Sequence, residues 1–107
     1  MNSTVQTNTT LNDNTTGGTE SSAAKQYLID VRSPQEFASG HIEGSLNVPL
    51  QMIFAVANSD IQPQDNLVVY CASGMRASQA VQVLESMGYR NIVNAGTVSA
   101  ASDYISR

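Results

Sequence analysis

One cysteine, one histidine and no tryptophan stand among these 107 residues, and only five side chains are basic. A lone Cys71 excludes an internal disulfide and any multi-thiolate zinc site. A lone His41 leaves too few nitrogen ligands for a familiar catalytic metal centre. No metal and no cofactor is therefore expected. Five Lys and Arg against nine Asp and Glu give a net charge of -4, without the basic clusters that nucleic acid or anionic lipid requires. No stretch approaches the ~20 apolar residues of a membrane span, and the first residues lack the basic-then-apolar plan of a secretory leader. The expected protein is a cytoplasmic monomer, periplasmic only if a leader has been removed, with neither nucleic acid nor membrane as partner.

Apolar side chains are scarce at one end as well, since Met1 to Ser22 holds only Met1, Val5 and Leu11. Such a segment cannot bury enough surface to offset its ordering entropy. The expectation is a disordered tail or linker over residues 1–22 and a single folded domain over 23–107. Asn2-Ser3-Thr4, Asn8-Thr9-Thr10 and Asn14-Thr15-Thr16 match the glycosylation acceptor pattern, but Asn and Thr tracts generate such matches by composition alone.

What is present begins at Tyr27. Tyr27 to Val31 is a short apolar strand, and Ser33-Pro34-Gln35-Glu36 supplies an N-cap, a proline at the first helical position and a capping-box glutamate. A helix should start there and stop at Gly40. Ser45 to Val48 reads as a second strand closed by Pro49. Gln51 to Asn58 carries Met52, Ile53, Val56 and Ala57 at helical spacing. Leu67 to Tyr70 is the clearest buried strand. Arg76 to Met87 follows as an amphipathic helix with Ala77, Ala80, Val81, Leu84 and Met87 on one face, ended by Gly88, and Asn91 to Asn94 is the next strand. Strands alternating with helices predict an α/β fold, an open and mainly parallel sheet with helices on both faces. Ligands of such sheets bind outside the carboxyl ends of the strands, where Asp30 and Cys71 fall.

Cys71 lies where strand gives way to loop and then to a helix N-terminus, a place whose amide hydrogens and dipole favour an anion. The thiolate is the reactive form of cysteine. Gly74 permits positive φ in the turn, letting amides of Ala72 to Arg76 point inward, and Arg76 adds a fixed cation. An anionic sulfur and an oxyanion beside it would both be stabilised. A lone cysteine can also be an inert, buried small hydrophobe. The strand-loop-helix frame favours the nucleophile.

The segment Cys71-Ala72-Ser73-Gly74-Met75-Arg76 resembles the active-site loop of the rhodanese superfamily, with Gly third and Arg fifth after Cys. Leu28-Ile29-Asp30-Val31-Arg32-Ser33-Pro34-Gln35-Glu36-Phe37 is similar to that family's first strand and helix. Gly40-His41-Ile42-Glu43-Gly44-Ser45-Leu46-Asn47-Val48-Pro49 is similar to its turn and second strand, and Gly88-Tyr89 and Asn94-Ala95-Gly96 also fit. The resemblance runs over residues 27–96 in the family's order. It implies a single-domain sulfurtransferase in which Cys71 takes the outer sulfur of thiosulfate, or a similar donor, and holds it as a persulfide for a thiol or cyanide acceptor. A sulfur-accepting protein would be a further partner. On this carry-over Ala72, Ser73, Gly74, Met75 and Arg76 bind substrate, the loop amides cradling the sulfur and Arg76 orienting the departing oxyanion.

Other residues near the loop have simpler readings. Ser73 reads more simply as a solvent-facing loop serine, Met75 as a shaper of the rim, and Asp30 with Arg32 as a supporting ion pair. His41 falls in the family's turn, where resemblance implies a structural hydrogen bond and not a base. After Gly96 the chain departs from the family: Thr97 stands where relatives carry a second glycine, and Val98 to Arg107 lacks a recognisable closing helix with aromatic anchors. The rival readings are a phosphatase or arsenate reductase of related fold and a non-enzymatic persulfide carrier or protein-binding module. Phosphatase loops place five residues between Cys and Arg, whereas four stand here.

Overall fold

The computed structural model describes residues 24–106, so the tail and acceptor motifs expected over residues 1–22 lie outside the described part. Four strands form one sheet: β1 (Gln26–Asp30), β2 (Leu46–Asn47), β3 (Asn66–Cys71) and β4 (Asn91–Thr97), in the order β2-β1-β3-β4. Every neighbouring pair is parallel. Parallel neighbours cannot be joined by a hairpin, so each connection returns across a face of the sheet. Helix α1 (Pro34–Ser39), a 3-10 helix (Leu50–Asn58) and α2 (Met75–Ser86) lie in those returns, and α3 (Val98–Ile105) follows β4. This is the α/β architecture that the alternation of elements implies.

β3 is central, flanked by β1 and β4, and Leu67 through Cys71 are all buried. Coverage on both faces explains why its sequence is a continuous apolar run with no alternation. Leu67, Val69 and Cys71 join Ile29 and Val31 in a core completed by Ala77, Ala80 and Leu84 of α2 and Ile53 and Val56 of the 3-10 helix. The two alanines let α2 come close to the strands. Val68, Tyr70 and Asp30 point to the other face, buried but outside that cluster. The same alternation along β3 therefore seats the cysteine side chain under α2.

Two elements differ from expectation. Gln51 to Asn58 was expected as an ordinary helix, but Leu50–Asn58 winds as a 3-10 helix. Its buried residues, Ile53 and Val56, are three apart, and side chains three apart eclipse on a three-residue turn, so the tighter winding aims both at the core. The second difference lies after Gly96, where the sequence carries no recognisable closing helix of the family and the structure forms α3. α3 forms because Thr97, the residue that departs from the family, caps it, its Oγ1 accepting from the Ala100 N–H at 3.1 Å. Only Ala101 of this helix is buried, and Tyr104 and Ile105 are each 38% exposed.

Candidate active site

β3 ends at Cys71 and α2 begins at Met75, leaving Ala72, Ser73 and Gly74 to reverse the chain. Gly74 makes the turn at φ +94°, a conformation costly for any residue with a Cβ. Its N–H donates to Cys71 Sγ at 2.8 Å, and the Ala77 N–H donates to the same sulfur at 3.4 Å. The second donor lies one residue beyond the loop named from the sequence. The free cysteine is fully buried, while Ala72, Ser73 and Met75 are exposed around it. The sulfur is thus covered, part of the core packed under α2.

The remaining loop residues take different positions. Ser73 Oγ accepts from the Met75 N–H at 3.4 Å, an interaction internal to the turn. Met75 is 71% exposed at the rim. Arg76, in the first turn of α2, meets Glu36 of α1 end to end: Nη1 donates to Oε1 at 2.7 Å and Nη2 to Oε2 at 3.0 Å. The Arg76 hydrogen bond, aided by the Ser33 backbone amide, holds the Glu36 carboxyl down at about 2. The same bond raises Arg76 above its ordinary value, and the charge of Cys71 contributes in the same direction. Arg76 therefore reaches the loop already partnered.

Support for the loop comes from the end of β4. The register of β3 on β4 slips between Val69, opposite Asn94, and Tyr70, opposite Gly96, so Ala95 is an extra residue. The bulge turns Asn94 toward the loop, where its Nδ2 donates to the Gly74 carbonyl at 3.4 Å and its Oδ1 accepts from the Gly96 N–H at 2.9 Å. A second support is the buried pair of Asp30 and Arg32, whose Nη2 donates to Asp30 Oδ2 at 2.7 Å and to the Gly40 carbonyl at 2.6 Å. That ion pair fixes the end of α1. His41 stacks on Phe37 with ring centroids 3.6 Å apart, and its Nδ1 donates to the Phe37 carbonyl at 2.7 Å. A carbonyl can only accept, so the hydrogen sits on Nδ1, and the ring is engaged in closing the turn after α1.

Three contributors were not singled out from sequence: the Ala77 amide, Asn94 and the charge of Glu36. Asn94 stood in a recognised segment but carried no role. Glu36 was visible only as a capping-box residue, and its partner is 40 positions away. Two grooves of about 410 and 400 Å³ lie elsewhere, at the amino edge of the sheet beside Tyr104 and Ile105 of α3.

A sulfur met by two backbone amides stands at the carboxyl edge of an open parallel sheet, under a helix N-terminus, where α/β folds place their ligands and where a cysteine can act as a covalent nucleophile. The chain belongs to the rhodanese-like domain family, whose model matches residues 13–96. That match begins inside the segment read from sequence as a tail. The chain is 35% identical over 74 residues to the thiosulfate sulfurtransferase PspE of Escherichia coli, covering 68% of this chain and 71% of the relative. It is 37% identical over 76 residues to the thiosulfate:glutathione sulfurtransferase of Saccharomyces cerevisiae, covering 60% of this chain and 55% of the relative. Among solved structures, a rhodanese with anions from E. coli superposes with a TM-score of 0.66 at 33% identity, covering 70% of this chain and 89% of that one. Three further curated relatives are matched over 56%, 62% and 55% of their own lengths, so the chain spans less than two thirds of each.

Proposed function

We propose that this protein moves a sulfane sulfur from thiosulfate to a thiol or cyanide acceptor, with Cys71 as the covalent carrier. The observation that carries this reading is the convergence of the Gly74 and Ala77 amides on Cys71 Sγ in a chain of the rhodanese-like family. In the first step the thiolate attacks the outer sulfur of thiosulfate. A bond forms from Sγ to that sulfur, the bond to the sulfonate sulfur breaks, and sulfite leaves with the electron pair. The terminal sulfur of the persulfide then carries the negative charge. In the second step cyanide or a thiolate attacks that terminal atom, and Cys71 leaves as thiolate. Each step is a displacement at sulfur, so two-step ping-pong kinetics are expected.

The fixed amides suit this chemistry because they remain with the enzyme while negative charge moves outward by one atom. The Asn94 contact holds the Gly74 carbonyl outward, and so supports the orientation of the amides beneath it. A buried sulfur cannot touch a donor, so reaction requires the segment Ala72 to Gly74 to part before attack. Thiosulfate is the donor we favour because three of the similar proteins carry it in their names. The acceptor we favour is a small thiol, after the yeast relative. Four intervening residues between Cys71 and Arg76 argue against a phosphatase, whose tetrahedral substrate needs a wider ring of donors.

Mass spectrometry after incubation with thiosulfate tests the reading. The expected result is one added sulfur on Cys71, removed by cyanide and absent from Cys71→Ser. A reduced, folded protein that gains no sulfur would defeat thiosulfate as donor.

A further inference from the structure

We propose that Glu36 is a specificity-determining residue: by neutralising Arg76 it lowers the cysteine loop's preference for dianionic sulfur donors relative to monoanionic ones, such as organic thiosulfonates. The inference rests on the sulfurtransferase reading above and goes beyond it, to the charge of the donor that the site accepts best.

The cations of the fold are few enough to place one by one. Lys25 and Arg90 immediately precede β1 and β4 and so stand at the amino edge of the parallel sheet, away from Cys71. Among the described residues that leaves Arg32 and Arg76 for the carboxyl edge. Arg32 is committed to the fold: Nε and Nη2 both bond Asp30, and Nη2 also bonds the Gly40 carbonyl. Arg76 is matched by Glu36 through both terminal nitrogens. Each cation near the reactive sulfur is thus offset by one carboxylate.

The pairing of Arg76 leaves hydrogen-bonding capacity while cancelling charge. An end-to-end fork uses one N–H on each terminal nitrogen, so the Nε–H and one N–H on each terminal nitrogen are not taken by the fork. Both side chains are 37% exposed, so an approaching anion can reach the pair from solvent. It finds donors there but little net positive potential.

Donor charge then decides how much Glu36 matters. Thiosulfate brings two negative charges toward a thiolate, an organic thiosulfonate only one, and the repulsion from Glu36 scales with that number. Removing the carboxylate charge should help the dianion twice as much, on a logarithmic scale, as the monoanion. A residue that merely braced α1 against α2 would alter both donors alike.

The experiment compares sulfur uptake from thiosulfate and from benzenethiosulfonate at low ionic strength, in the intact chain and in Glu36→Gln. Glutamine retains an oxygen to accept the Ser33 N–H, so the capping box survives. The expected result is a KM lowered about 10-fold for thiosulfate and about 3-fold for benzenethiosulfonate, with kcat little changed and the difference shrinking in high salt. Glu36→Asp keeps the charge and should keep the donor ratio of the parent. Equal changes for the two donors, an unchanged ratio in Glu36→Gln, or a ratio shifted alike in Glu36→Asp, would overturn the role of Glu36 while leaving sulfur transfer intact. Failure of the parent to take sulfur from either donor would remove the sulfurtransferase reading, and the role of Glu36 with it.

Discussion

Gly74 lies against Gly96: a Cβ built on Gly74 would stand 3.5 Å from Gly96 Cα, in ordinary contact. Space is therefore not what demands glycine here. The demand comes from φ +94°, which places the Gly74 amide 2.8 Å from Cys71 Sγ. Gly74→Ala should cost about 1–2 kcal/mol of stability, the penalty of a left-handed residue with a side chain. The strained turn should also relax by moving the amide off the sulfur, slowing persulfide formation. Thermal unfolding and the rate of sulfur uptake check the two effects together. An unchanged melting temperature would mean that the turn has another conformation available at no cost.

Burial of Cys71 makes its own forecast. With the sulfur fully covered, alkylation by iodoacetamide should run far below the rate of an exposed thiol at the same pH, because reaction waits on opening of the loop. Substitutions that loosen the loop, such as Asn94→Ala, should speed labelling by freeing the Gly74 carbonyl. Labelling of the parent as fast as a free thiol would show the loop to be open most of the time.

The Asp30–Arg32 pair should matter for folding. Asp30 is fully buried and accepts from the backbone N–H, Nε and Nη2 of Arg32. Removing the carboxylate strands the charge of Arg32, a residue itself only 8% exposed. Asp30→Ala should lose roughly 3–5 kcal/mol, as when one partner of a buried ion pair is deleted. That is a large part of the stability of a small domain. A denaturant midpoint close to that of the parent would show that water or the Gly40 carbonyl compensates.

Acid should separate the two carboxylate partners of this fold from ordinary surface acids. Glu36 titrates at about 2 in the folded protein against an ordinary 4.5, chiefly through Arg76, so the unfolded chain binds its proton first. A depressed carboxyl contributes its stability in full above 4.5 and loses it as pH falls toward about 2. Asp65, lowered by the backbone amides of Gln62 and Lys25, works in the same sense. The stability difference between the parent and Glu36→Gln should stay constant from neutral pH down to about 4.5 and close below it. A difference that persists to the acid limit would place the effect of Glu36 in packing, not in charge.

Local chemistry made much of this molecule readable from its sequence. Ser33 and Glu36 announce α1 because a capping box is complete within four residues, and both of its hydrogen bonds are formed. Leu67 to Tyr70 shows itself as a buried strand because only a strand covered on both faces needs no polar alternation. The cysteine loop follows from that strand, from Gly74 and from the helix behind them. What sequence did not disclose depends on separation. Glu36 already had a sufficient reason to be where it is, so nothing marked its second partner, Arg76, in another helix. The Ala77 amide carries no side-chain signal at all, since any residue but proline would supply it. α3 was missed for a different reason: its closure depends on the Thr97 cap and one buried alanine, features too common to stand out.

On the proposed reaction, a carrier with a single thiol among these residues has no companion here to discharge it. Cys71 is the only cysteine of these 107 residues, so a loaded molecule cannot close an internal disulfide and expel its cargo as hydrosulfide. Its waiting time between donor and acceptor is set from outside, by how soon a second nucleophile arrives. A fold of this kind behaves as a one-place store, and its throughput should follow acceptor supply more closely than any internal clock.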